Sequence, residues 1–172
     1  ASLRANKADE LSPLTTAVGQ GSGDMVRFLV EAGAPLVGDA LLNGQTPLHT
    51  AVGSHGKDDD DDGRVSILQQ LLSAAKTKLG DDDDAFQRFL DQCAGADCSG
   101  NLANINALQL AVLNEKHGAA QMLLECGASF NVVGQMPLEL AQGDRKMESL
   151  LREFAVGAEH RMAQKPNAKE EA

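Results

Sequence analysis

Apolar residues recur along this chain in short clusters at helical spacing, and the clusters open alike. Ser12-Pro13-Leu14-Thr15-Thr16-Ala17-Val18 and Thr46-Pro47-Leu48-His49-Thr50-Ala51-Val52 are in register with Asn106-Ala107-Leu108-Gln109-Leu110-Ala111-Val112 and Met136-Pro137-Leu138-Glu139-Leu140-Ala141. Leu14, Ala17 and Val18 lie three to four residues apart and share one helix face, as do Leu48, Ala51 and Val52. Ser or Thr before Pro opens a helix, because the hydroxyl caps free backbone N–H groups and Pro fits the first helical position without losing a needed donor. The first three clusters each lead into a second apolar run, at 25–30, 67–72 and 119–124. Ala17 to Gly33 and Ala111 to Gly127 are both 16 residues, and both end in Gly-Ala, where a left-handed glycine closes a helix. The pattern predicts helical hairpins whose apolar sides cannot be satisfied singly, so the units must stack.

Thr46-Pro47-Leu48-His49-Thr50-Ala51 matches the signature T-P-L-H-x-A, and the step from Ser12 to Thr46 is 34 residues. On these residues, over 12 to about 154, the chain resembles the ankyrin-repeat family, whose period is about 33. The resemblance implies an all-α ankyrin-repeat solenoid of about four helical-hairpin repeats, near 12–43, 46–76, 106–131 and 136–154, with a lead-in at 1–11 and a flexible tail at 155–172. It also implies that His49 hydrogen-bonds the adjoining loop.

The second repeat is irregular. Thr46 to Asn106 spans 60 residues, and the surplus falls into insertions near 56–63 and 77–104, which carry Asp58–Asp62 and Asp81–Asp84. Within the second insertion Phe86, Phe89, Leu90 and Cys93 follow i, i+3, i+4, i+7, which predicts an extra amphipathic helix over 85–93. The loop between Gly127 and Met136 is short, and the fourth repeat loses residues after Ala141, as a terminal cap does. Residues 157–172 are polar, with Pro166 and no apolar period.

A length of 172 residues fits one domain, and 25 acidic residues against 15 basic give a net charge of −10. Setting aside the nine Asp of the two runs leaves 16 acidic residues against 15 basic, so the acidity is local to the insertions. A phosphate backbone would be repelled, and nucleic acid is not an expected direct partner. No apolar stretch approaches a membrane span and the first residues lack the apolar core of a signal peptide, so no membrane is expected and the chain reads as cytoplasmic, with the nucleus as an alternative. Cys93, Cys98 and Cys126 are an odd number in a chain that needs no staples, and read as free thiols. Trp and Tyr are absent, so a binding face must rely on small and aliphatic residues.

Candidate chemistry thins out on inspection. Asp58, Asp60, Asp62 and Gly63 open a calcium-loop pattern with Val65 in its apolar position, but Gln69 stands where a bidentate Glu belongs, and acid ahead of a helix start explains the run. None of His49, His55, His117 and His160 pairs with a Cys or an acid in a spacing that suggests a nucleophile and base, and Cys93 with Cys98 lacks a second close pair for zinc. Gly19-Gln20-Gly21-Ser22-Gly23 has no preceding strand and no following Lys, so it is a turn and not a phosphate loop. No enzyme activity, metal or cofactor is expected.

A binding face comes from the resemblance alone. The family's inter-repeat loops and first helices form a concave recognition surface, which here places Leu41, Leu42, Asn43 and Gln45 on the first loop and Gln20, Ser54, Leu113 and Asn114 at the ends of first helices. Leu41 and Leu42 either pack onto the stack or offer an apolar contact. The expected function is a non-enzymatic protein–protein interaction module or scaffold whose partner is another protein. Alternatives are a regulatory inhibitor resembling the ankyrin inhibitors of Rel-type transcription factors, or the recognition region of a larger enzyme. The Asp runs read as solubilising filler, or as an acidic patch that steers a partner with a basic segment.

Overall fold

The computed structural model describes residues 12–36, 45–53, 61–80, 82–93, 105–129 and 137–163, with backbone alone at 61–66 and 156–163. Among these residues the chain forms α1 (Pro13–Gly19), α2 (Gly23–Glu31), α3 (Pro47–Gly53), α4 (Asp61–Leu79), α5 (Asp83–Asp91), α6 (Ala107–Leu113), α7 (His117–Glu125), α8 (Pro137–Leu140) and α9 (Arg145–Ala163), and no strand. Helices start where the capping residues dictate. The Ser12 side chain accepts from Thr15 N–H, and Asn106 and Gln109 form a reciprocal capping box at the start of α6.

Four antiparallel hairpins result: α1 with α2, α3 with α4, α6 with α7, and α8 with α9. They stack in two layers. First helices contact in the order α1, α3, α6, α8, and second helices in the order α2, α4, α7, α9, while α5 packs on α4. Small residues set the spacing of the first layer. Ala17, Ala51 and Ala111 are buried between neighbours, and a Cβ added at Gly53 would stand 3.4 Å from Leu110 Cδ2, so α3 and α6 approach closely there. One apolar core runs the length of the stack, through Leu14, Leu48, Leu71, Leu108, Leu123 and Leu151.

Gly33 and Gly127 close α2 and α7 as anticipated. Each has φ +95°, its N–H donates to Val30 or Leu124, and the next N–H reaches Leu29 or Leu123. The same double closure ends α6, but there the left-handed residue is Glu115, with φ +54°. Left-handed backbone costs an L residue about 1–2 kcal/mol, and glycine's extra unfolded-state freedom returns about 0.4–1 kcal/mol of that. Glu115→Gly is therefore expected to raise stability by about 0.5–1 kcal/mol, read as a higher midpoint in thermal melting.

Three elements differ in extent from the sequence pattern. α4 starts at Asp61 and runs to Leu79, so it absorbs the end of the first insertion and the start of the second. No Gly or Pro interrupts it between Gly63 and Gly80, where φ turns to +60°. The extra helix is present but starts at Asp83, because the Asp82 side chain accepts from Ala85 N–H and fixes the start two residues early. α9 continues to Ala163, through the first nine residues of the expected tail. Once the buried first half around Met147 and Leu151 has nucleated the helix, Ala, Glu, Arg and Met extend it without an apolar period.

Candidate protein-binding face

The first-helix layer is held in register by a buried polar network. The Nε2 of His49 lies 2.8 Å from the Ile105 carbonyl, and Nδ1 lies 2.7 Å from Thr46 Oγ1. A carbonyl can only accept, so Nε2 carries the hydrogen and the Thr46 hydroxyl donates to Nδ1. Thr46 Oγ1 also accepts from His49 N–H at 3.3 Å, which makes it the cap of α3. Burial pushes the imidazole below its ordinary value of 6.5, with the Ile105 bond acting the other way. His49 thus fastens repeat two to the residue that precedes the α6 cap, 56 residues away, whatever the insertion between them does.

The extra helix is tied in from the other side. Gln87 Nε2 lies 2.7 Å from Asp91 Oδ2, 3.0 Å from Gly127 O and 3.2 Å from Ser129 Oγ, and Ser129 N–H donates to Asp91 Oδ1 at 2.8 Å. Gln87 and Asp91 are one turn apart on α5, so that helix grips the turn that follows α7. Phe89 and Leu90 are buried beneath, and Phe86 packs against Phe89 with ring centroids 6.2 Å apart. Lys78, near the end of α4, donates at 2.7 Å to the carbonyl of Ala34 in the turn after α2, and burial lowers its pKa. Neither contact has a periodicity or motif that would reveal it in the sequence; a polar i, i+4 pair beside an apolar stripe was the available signal.

Of the residues predicted for the face, Gln20, Gln45, Leu113 and Asn114 are described. Gln20 and Asn114 are the C-caps of α1 and α6, both exposed, and Leu113 beside Asn114 is 41 % exposed. Equivalent ends of stacked first helices share one edge, about 16–20 Å apart for a two-repeat separation. Gln45 stands at the opposite end of this layer, just before the α3 cap, and is half-buried. Leu41, Leu42, Asn43 and Ser54 lie outside the described residues. The first helices α1, α3 and α6 are largely buried, α6 from Ala107 to Val112, so exposure on these three concentrates at the helix ends.

Asp61 and Asp82–Asp84 lie at opposite ends of α4. One acidic run leads into α4 at Asp61 and the other follows its end and supplies Asp82–Asp84 to the start of α5. The 19 residues of α4 span about 28 Å, several Debye lengths at physiological salt. Asp58–Asp60 lie outside the described residues, and among the described ones no three His, Cys, Asp or Glu converge as a metal site. Cys93 and Cys126 are free and half-buried, and burial is the main cause that raises both thiols. No helix among the described residues is long and apolar enough to cross a membrane.

At the far end of the stack, His117 Nε2 is 2.7 Å from Asp144 Oδ2. Asp144 caps α9, and the Met147 N–H is the main cause that holds its carboxyl below the ordinary 3.8, against some desolvation and with help from His117.

Hairpins stacked in two layers and pinned by a buried T-P-L-H turn define a helical repeat solenoid. The family model described as Ankyrin repeat matches residues 43–84, which include that turn, so the chain carries an ankyrin repeat there. Ankyrin repeats are protein–protein interaction modules, generally without enzymatic activity. Among solved structures the chain is similar to the human ASB11 ankyrin repeat domain, at 20 % identity and a TM-score of 0.37 over 90 % of this chain and 73 % of that one. It is also similar to the ankyrin repeat domain of Bcl-3, described as a unique member of the IkappaB protein family, at 27 % identity and a TM-score of 0.33 over 85 % of this chain and 72 % of that one. No match was found among curated proteins.

Proposed function

We propose that this chain is a non-enzymatic protein-binding module whose contact surface follows the exposed ends of its first helices and the first inter-repeat loop. Gln20, Ser54, Leu113 and Asn114 form one margin of that surface, and Leu41, Leu42, Asn43 and Gln45 the other. The observation that carries the reading is Leu113. It is a large apolar side chain left 41 % exposed on a layer whose Leu and Val residues in α1, in α3 and in the rest of α6 are buried, at the end of a helix fixed by neighbours on both sides. A rigid scaffold of this kind binds without ordering its own loops first, which spares part of the entropy loss of association.

Affinity purification with mass spectrometry tests the reading when repeated with Leu113→Asp and with the double variant Leu41→Asp, Leu42→Asp. Proteins retained by the wild-type chain should be lost or depleted at least tenfold by both variants, because a buried unpaired carboxylate costs more than about 1.4 kcal/mol at an interface. The same proteins retained at equal levels by both variants, each with an unchanged melting temperature, would refute it.

A further inference from the structure

We propose that Lys78 is an acylation site, and that the groove beside it between α2 and α4 takes the acyl chain of a short-chain thioester. The groove encloses about 480 Å³. Val30 of α2 and Ser73, Ala74 and Thr77 of α4 line it, and Lys78 is the last α4 residue along it. Val30 is buried and Ala74 half-buried, so the seam between the two helices presents methyl groups under a rim of hydroxyls. A hydrocarbon chain of a few carbons suits that floor.

The amine is held at the groove and left without a counter-charge. Nζ donates at 2.7 Å to the carbonyl of Ala34, in the turn after α2, which ties the side chain across the seam between repeats one and two. A carbonyl fixes the nitrogen without neutralising it. Among the described residues no carboxylate pairs with Lys78: Glu31 lines the same groove, and Arg27, also on its wall, pairs with Asp24 at 3.2 Å. Burial lowers the Lys78 pKa from the ordinary 10.5, so a larger share of the amine is neutral at a given pH, while the side chain stays exposed enough to be reached. Lys76, two residues earlier, acts instead on Cys126 of α7. In the transfer the neutral Nζ attacks the thioester carbonyl, the C–N amide bond forms as the C–S bond breaks, and the departing thiolate takes up the proton that the nitrogen releases. The product amide keeps one N–H for Ala34 and loses the positive charge.

The test treats the native chain with the butyryl thioester of N-acetylcysteamine and follows each lysine by peptide mass spectrometry. Lys78 should react at least about fivefold faster than the exposed Lys76 and Lys146, which serve as internal standards. Its rate should reach half its maximum at a pH below 10.5, and the preference should vanish in urea, where the groove is gone. Ala74→Leu, which fills the floor, should slow butyryl transfer to Lys78 and leave acetyl transfer within about twofold. Thr77→Leu on the exposed wall repeats that comparison should Ala74→Leu lower the melting temperature. The proposal is overturned if Lys78 reacts no faster than Lys76 in the native chain, if the preference survives in urea, or if a stably folded groove-filling variant takes butyryl at the wild-type rate.

Discussion

His49→Ala is expected to lower the unfolding free energy by about 3 kcal/mol or more, the sum of a cavity and of buried partners left unpaired. The ring is 1 % exposed and joins Thr46 to Ile105, so its loss strands a carbonyl and a hydroxyl that no described water-facing surface serves. Denaturation in urea followed by far-ultraviolet circular dichroism measures the change, which suits a chain without Trp or Tyr. His49→Gln should lose less, because Gln109 shows that an amide at this position of the repeat can cap its own helix start. It should still fall short of wild type, since the reach to the next repeat goes with the ring.

The same ring sets a pH dependence. Burial holds the folded-state pKa below 6.5, so the unfolded chain takes up the proton first. The stabilisation is complete above pH 6.5 and declines as pH falls toward the folded value, with a slope of at most about 1.4 kcal/mol per pH unit. His49→Gln should flatten that stretch of the curve. Asp144 acts in a separate window. Its carboxyl is held below 3.8, so its contribution is present above that value and is lost only in stronger acid. A stability profile from pH 7 to 5 that is as steep in His49→Gln as in wild type would mean that the slope belongs to another group.

The sequence disclosed those features whose physics is local or periodic. T-P-L-H gave the α3 start, Gly33 and Gly127 gave two helix ends, and the spacing of Phe86, Phe89 and Leu90 gave α5. What stayed hidden depends on tertiary neighbours. That Gln87 and Asp91 would grip Gly127 and Ser129, or that Lys78 would meet Ala34, follows from where α5 and α4 end in space, and neither residue differs locally from a solvated one. Glu115 escaped notice because a left-handed residue is announced only when it is Gly or Asn. That Gln20 and Asn114 cap equivalent first helices was legible, since repeats copy position, whereas the sequence does not say that Gln45 and Gln20 lie at opposite ends of this helix layer.

Whether the extra helix is an appendage or part of the solenoid can be decided at Phe89. Its side chain is 1 % exposed and belongs to the same apolar cluster as Leu71, Leu72 and Ala75 of α4 and Leu123 of α7. In a stacked array each unit draws stability from its neighbours, so an element that bridges two units strengthens the interface between them. α5 is such a bridge, packed on α4 and hydrogen-bonded to the turn after α7. Phe89→Ala should therefore cost about 3–5 kcal/mol, and the loss should spread. Hydrogen exchange should accelerate in α4 and α7 as well as in α5, with α1 least affected because it packs mainly on α2 and α3. Gln87→Ala, which removes the grip but keeps the apolar contact, should cost only about 1 kcal/mol. If Phe89→Ala speeds exchange in α5 alone and leaves α4 and α7 protected, the helix is an ornament on a solenoid complete without it, and the second insertion has no part in holding repeats two and three together.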